Sequence, residues 1–96
     1  MSNPIVYLES SAKRYALAAV KAEKDGDYEH AYTNLRSAVE LLEDLVKNYP
    51  DHPLASLYRR LIEQYRRKLR ELEDKLRLPA TGDEEVYFVE TRDDAS

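Results

Sequence analysis

Two long amphipathic stretches meet at Gly26-Asp27, and that junction limits the fold more than any other feature of the chain. Before it, Ile5, Leu8, Ala12, Tyr15, Ala16, Ala19 and Ala22 recur at the three-and-four spacing of one helical face. After it, Tyr28, Ala31, Tyr32, Leu35, Ala38, Val39, Leu42, Leu45, Val46 and Tyr49 form a second such stripe. Glycine ends a helix because it enters the left-handed region without a Cβ penalty, and aspartate caps the next start. So short a break predicts two antiparallel helices.

The other boundaries carry equally local signals. Asn3 is a good N-cap, and Pro4 suits the first helical position, where its missing N–H costs nothing. Pro50 and Pro53 interrupt the second stripe, because proline neither continues a helix nor leaves its predecessor comfortable in one. Asp51 or His52 is expected to cap a third helix running to about Arg77. Leu54, Tyr58, Leu61, Ile62, Tyr65, Leu69, Leu72 and Leu76 face inward on this expectation. Three such stripes can be buried only against one another. The expected class is all-α, an antiparallel three-helix bundle over residues 1–78 with a short extended C-terminal tail over 79–96.

Ninety-six residues suffice for one small domain. The absence of cysteine excludes disulfides and thiolate metal sites and suits a reducing compartment. The first residues lack a charged start followed by an apolar run, and no stretch approaches the length of a membrane span. A soluble, cytoplasmic protein is expected. The net charge of −4 hides a split. Residues 59–77 are rich in Arg and Lys, whereas 83–94 hold Asp83, Glu84, Glu85, Glu90, Asp93 and Asp94 against Arg92 alone. Thr81-Gly82 reads as a joint, and Val86-Tyr87-Phe88-Val89 as a short β-prone patch. That tail reads either as a linker or as a segment that docks on a bundle.

Nothing in the chain has the pattern of an active site. Tyr15, Tyr28, Tyr32, Tyr49, Tyr58 and Tyr65 sit at helical spacing and read as core. His30 and His52 lack a partner histidine at ligand spacing. Glu40 with Asp44 reads as solvated helix surface, and Ser10 and Ser11 have no neighbour to activate them. No catalytic residue, cofactor or metal is expected. Arg59-Arg60 and Arg66-Arg67-Lys68 are interleaved with Glu63, Glu71, Glu73 and Asp74, so no single basic stripe results. Nucleic acid is therefore not an expected partner, and a membrane only indirectly through other proteins. A tetratricopeptide-like unit, a helical dimerisation adaptor and a basic-helix binder of nucleic acid or anionic lipid are the alternative classes.

The segments Ala19-Val20-Lys21-Ala22-Glu23, Gly26-Asp27-Tyr28-Glu29-His30-Ala31-Tyr32, Ala38-Val39-Glu40-Leu41-Leu42 and 62–72 together resemble a MIT domain, the microtubule-interacting and trafficking module. The resemblance spans residues 5–77 and is greatest to the N-terminal domain of an archaeal ESCRT-associated AAA ATPase. It implies a non-catalytic module that binds short tail motifs of ESCRT-III-type proteins and brings an attached ATPase to their filaments. No glycine-rich phosphate loop occurs within these 96 residues, whose only glycines are Gly26 and Gly82.

Members of that family use two grooves, one between helices 2 and 3 and one between helices 1 and 3. The first relies on a leucine directly after the helix 3 tyrosine; here that position is Arg66, which disfavours a leucine-bearing helical ligand. On the other flank of helix 3, at about 100° per residue, Leu57 and Leu61 lie about 80° and 40° from Tyr65. Gln64 and Lys68 share that side. Helix 1 contributes Val6, Leu17 and Val20, bordered by Lys13 and Lys24. Lys13, Leu17, Val20, Lys24, Leu57, Leu61, Gln64 and Lys68 are thus the candidate binding residues, for an extended, proline-containing peptide with acidic neighbours. Residues 79–96 could compete for the same groove.

Overall fold

A computed structural model describes residues 3–77. They form three helices: α1 (Pro4–Lys24), α2 (Tyr28–Asn48) and α3 (Ala55–Arg77). The all-α bundle expected from the stripes is what forms. The tail over 79–96, with its β-prone patch, lies outside the described residues.

Each end has a visible cause. The Asn3 side chain accepts from the Ile5 N–H at 2.9 Å, ahead of Pro4. At the other end of α1, Gly26 takes φ +78°. The Asp27 N–H then reaches the Ala22 carbonyl at 2.8 Å and the Gly26 N–H that of Glu23 at 3.0 Å. Those two bonds form a Schellman turn, which satisfies carbonyls the helix would otherwise leave open. The Asp27 carboxylate accepts from the His30 N–H and pairs with the His30 ring, and these hydrogen bonds hold it below the usual carboxylate range. Between α2 and α3, Nδ1 of His52 accepts from the Leu54 N–H at 3.0 Å, which makes His52 the capping side chain.

Two core layers set the helix directions. Ala12, Val39, Leu42, Leu45, Tyr58 and Ile62 form one, and Ala19, Ala31, Leu35 and Leu72 the other. Residue numbers rise from the first layer to the second along α1 and α3 and fall along α2. Therefore α1 and α3 run parallel to each other and antiparallel to α2 between them. Alanines at 12, 19, 31 and 38 let α1 and α2 approach closely. By contrast, no Cα atom of α1 lies within 8 Å of one in α3. The third side of the bundle is open.

The stripes overreached at three positions. Tyr15 is 38% exposed, Leu54 41% and Leu76 43%, although all three were expected inside. Tyr15 sits on the edge of α1 that neither neighbour covers. Leu54 precedes the first turn of α3 and does not share its phase, and Leu76 lies beyond Leu72, the last buried residue of α3. Ser11 and Ala55 are buried, though neither was expected in the core.

Candidate peptide-binding groove

The open side is a groove of about 480 Å³ between α1 and α3, within the size range of small-ligand clefts. Its α1 wall carries Glu9, Ser10, Lys13, Ala16, Leu17 and Val20. Glu9, Lys13, Ala16 and Val20 recur every three or four residues, so one helical face presents them all. Leu57, Leu61 and Tyr65 supply the α3 wall, and Ala12, Leu42 and Tyr58 the floor. Leu17 is 64% exposed, Val20 51% and Leu57 39%. Apolar side chains this open are costly to leave in water and gain when a ligand covers them.

Of the eight residues expected to bind, Lys13, Leu17, Val20, Leu57 and Leu61 line this groove, and Lys24, Gln64 and Lys68 do not. Lys24 and Gln64 are exposed. The Lys68 ammonium donates to Glu23 at 3.2 Å and pairs with Glu71 at the same distance. Those hydrogen bonds hold it above the usual lysine range. Lys75 approaches the same Glu23 carboxylate at 3.9 Å and sits 4.9 Å from the Tyr28 ring. The pairing links α1 to α3 beyond the lined part of the groove, and Lys68 is committed to it rather than offered to a ligand. Val6 is exposed but lies outside the lining.

Among the lining residues that sequence reasoning did not assign to the groove, Tyr58 and Glu9 are joined to each other. The Tyr58 hydroxyl, on a ring only 2% exposed, donates to Glu9 at 2.7 Å. Burial and that bond push the Tyr58 phenol up to about 12. Glu9 thus places negative charge at the end of the groove away from Lys68 and Lys75. The one available signal was its spacing from Lys13, one turn away on the same face.

A shallower hollow of about 400 Å³ lies between α2 and α3, lined by Glu43, Val46, Lys47, Arg59, Ile62, Glu63 and Arg66. The Arg66 guanidinium donates to Glu43 across it. Three of its remaining five residues, Lys47, Arg59 and Glu63, are charged, so ionic groups rim the apolar surface it holds. Among the described residues no cluster of three or more His, Asp or Glu could hold a metal ion, and no helix is long and apolar enough to cross a membrane.

No known family profile matches the chain. Over 56 residues, 58% of its length, it is 45% identical to Cell division protein C of Sulfolobus acidocaldarius. The chain spans about 15% of that relative's length.

Proposed function

We propose that this chain is a MIT-type interaction module acting in cell division. It binds short C-terminal motifs of ESCRT-III-type proteins in the α1–α3 groove, and through them brings an attached AAA ATPase to a filament. The observation that carries this reading is the groove itself: two parallel helices held apart, with exposed Leu17, Val20 and Leu57 along its walls. Support for the cell-division setting comes from the similarity to Cell division protein C.

An extended peptide suits this cleft better than a helix does. Small apolar side chains fit between Leu17 and Leu61, and acidic neighbours fit Lys13. The α2–α3 hollow, crossed by Arg66 and Glu43, serves the helical mode poorly.

Calorimetric titration of ESCRT-III-type tail peptides into the 96-residue chain tests the reading. Leu17→Asp is the decisive variant, because Leu17 is well exposed and the fold does not need it. Removing one apolar anchor and adding a buried charge should weaken binding at least about tenfold, that is, by about 1.4 kcal/mol. Equal affinity with and without Leu17→Asp, both in a folded chain that also carries Val86→Asp and Phe88→Asp to take the tail's apolar run out of competition, removes this groove as the site.

A further inference from the structure

Cations stand at both ends of the groove. Lys24 lies beyond its lining toward the C-terminal end of α1, and Lys13 lines it one turn from Glu9, whose carboxylate already accepts from Tyr58. Lys68 and Lys75 are engaged with Glu23, but Lys13 and Lys24 make no ion pair among the described residues. A segment of this same chain joins acids, which suit unpaired lysines, to an apolar run, which suits the open walls. Asp83, Glu84 and Glu85 come first, then the apolar run Val86-Tyr87-Phe88-Val89, then Arg92.

We propose that residues 83–92 fold back antiparallel to α3 and occupy the α1–α3 groove in cis, the acids toward Lys24, the apolar run on Leu17, Val20 and Leu61, and Arg92 toward Glu9.

The reach of the chain permits this register. Counted back from Arg77 at about 1.5 Å per helical residue, Tyr65, Leu61 and Leu57 lie about 18, 24 and 30 Å away. An extended segment advances about 3.3 Å per residue. With residues 78–82 turned so that Gly82 comes level with Arg77, Val86 to Val89 then fall about 13–23 Å back along α3, and Arg92 about 33 Å. The apolar run therefore overlies Tyr65 to Leu61, and the arginine comes level with the Tyr58–Glu9 pair. Alternation along an extended segment turns two of the four apolar side chains into the cleft.

Such docking makes the tail a competitor for the groove. That regulatory consequence rests on the peptide-binding reading above, whereas the docking itself does not. The apparent affinity for a peptide falls in proportion to the fraction of chains whose groove is free.

The absence of cysteine makes a single Thr91→Cys unique for a nitroxide label on the full chain. Paramagnetic broadening should fall on the methyls of Leu17, Leu57 and Leu61 and spare Val46 on the α2–α3 side. It should be independent of protein concentration and vanish when Val86→Asp and Phe88→Asp are added. Absent broadening, broadening seen only between labelled and unlabelled chains, or broadening that survives the double substitution overturns the proposal. The same double substitution should raise affinity for an ESCRT-III-type tail peptide about threefold to tenfold, corresponding to a groove occupied by the tail about 70–90% of the time. Concentration-independent broadening without any peptide binding upholds the docking and removes the partner reading.

Discussion

The Tyr58 hydroxyl and the Glu9 carboxylate, 2.7 Å apart, join α1 to α3 across a gap that the two backbones never bridge within 8 Å. The bond ties the two walls together within the groove, and Lys68 and Glu23 tie the same two helices at 3.2 Å farther along. Both pairs connect side chains rather than backbones, so the cleft stays open while its walls are held in place.

Replacing Tyr58 with Phe keeps the buried ring and removes this bond. Glu9 is exposed and regains water, so the expected cost is about 0.5–1.5 kcal/mol in urea denaturation at neutral pH. The pH dependence follows from the raised phenol. A folded-state value of about 12 against an unfolded value of about 10 means that the stabilising contribution is complete below pH about 10 and is lost as pH rises through 12. Wild type should therefore lose more stability than Tyr58→Phe between pH 10 and 12. Parallel alkaline unfolding curves would contradict the assignment.

Gly26 tests the turn that sets the hairpin. A Cβ at Gly26 would meet nothing within 4 Å, so the cost of a side chain is conformational and not steric contact with neighbours. Gly26→Ala should cost about 1–2 kcal/mol at φ +78°. Gly26→Asn should cost less, since asparagine tolerates the left-handed region. Thermal unfolding of both variants checks the order; equal losses would mean that something other than φ governs the position.

Arg66 tests why the second hollow is disfavoured. The Arg66–Glu43 pair is exposed and contributes little, so Arg66→Leu should change stability by no more than about 0.5 kcal/mol. The substitution supplies an apolar contact between α2 and α3 and removes a cation from that surface. Calorimetry with a leucine-bearing helical peptide should show binding to Arg66→Leu where wild type shows none. Equal binding by both proteins would show that the ion pair is no barrier.

Local chemistry was legible in the sequence wherever a boundary depended on one or two residues. Asn3-Pro4, Gly26-Asp27 and His52 each mark an end through a bond made within the same turn. The core was legible where a stripe faces a neighbour on both sides, as along α2, between its partners. It was less legible at Tyr15, Leu54 and Leu76, because helical spacing specifies direction around an axis and says nothing of whether a neighbour covers that sector. Buried Ser11 carried no apolar signal at all; its hydroxyl accepts from Arg14 at 3.2 Å. The Tyr58–Glu9 and Lys68–Glu23 pairs were invisible because they join residues 49 and 45 positions apart. Such pairings depend on how α1 and α3 are registered against each other, which α2 decides by packing with both.

The central claim is that the α1–α3 groove receives an extended ligand peptide. Methyl and amide shift mapping of the 96-residue chain, titrated with an ESCRT-III-type tail peptide, tests it most directly. Saturable shifts are expected to concentrate at Lys13, Leu17, Val20, Leu57 and Leu61, with Val46, Arg59 and Arg66 unmoved. Shifts that instead follow the α2–α3 hollow, or a full titration that moves none of the five groove residues, would contradict it.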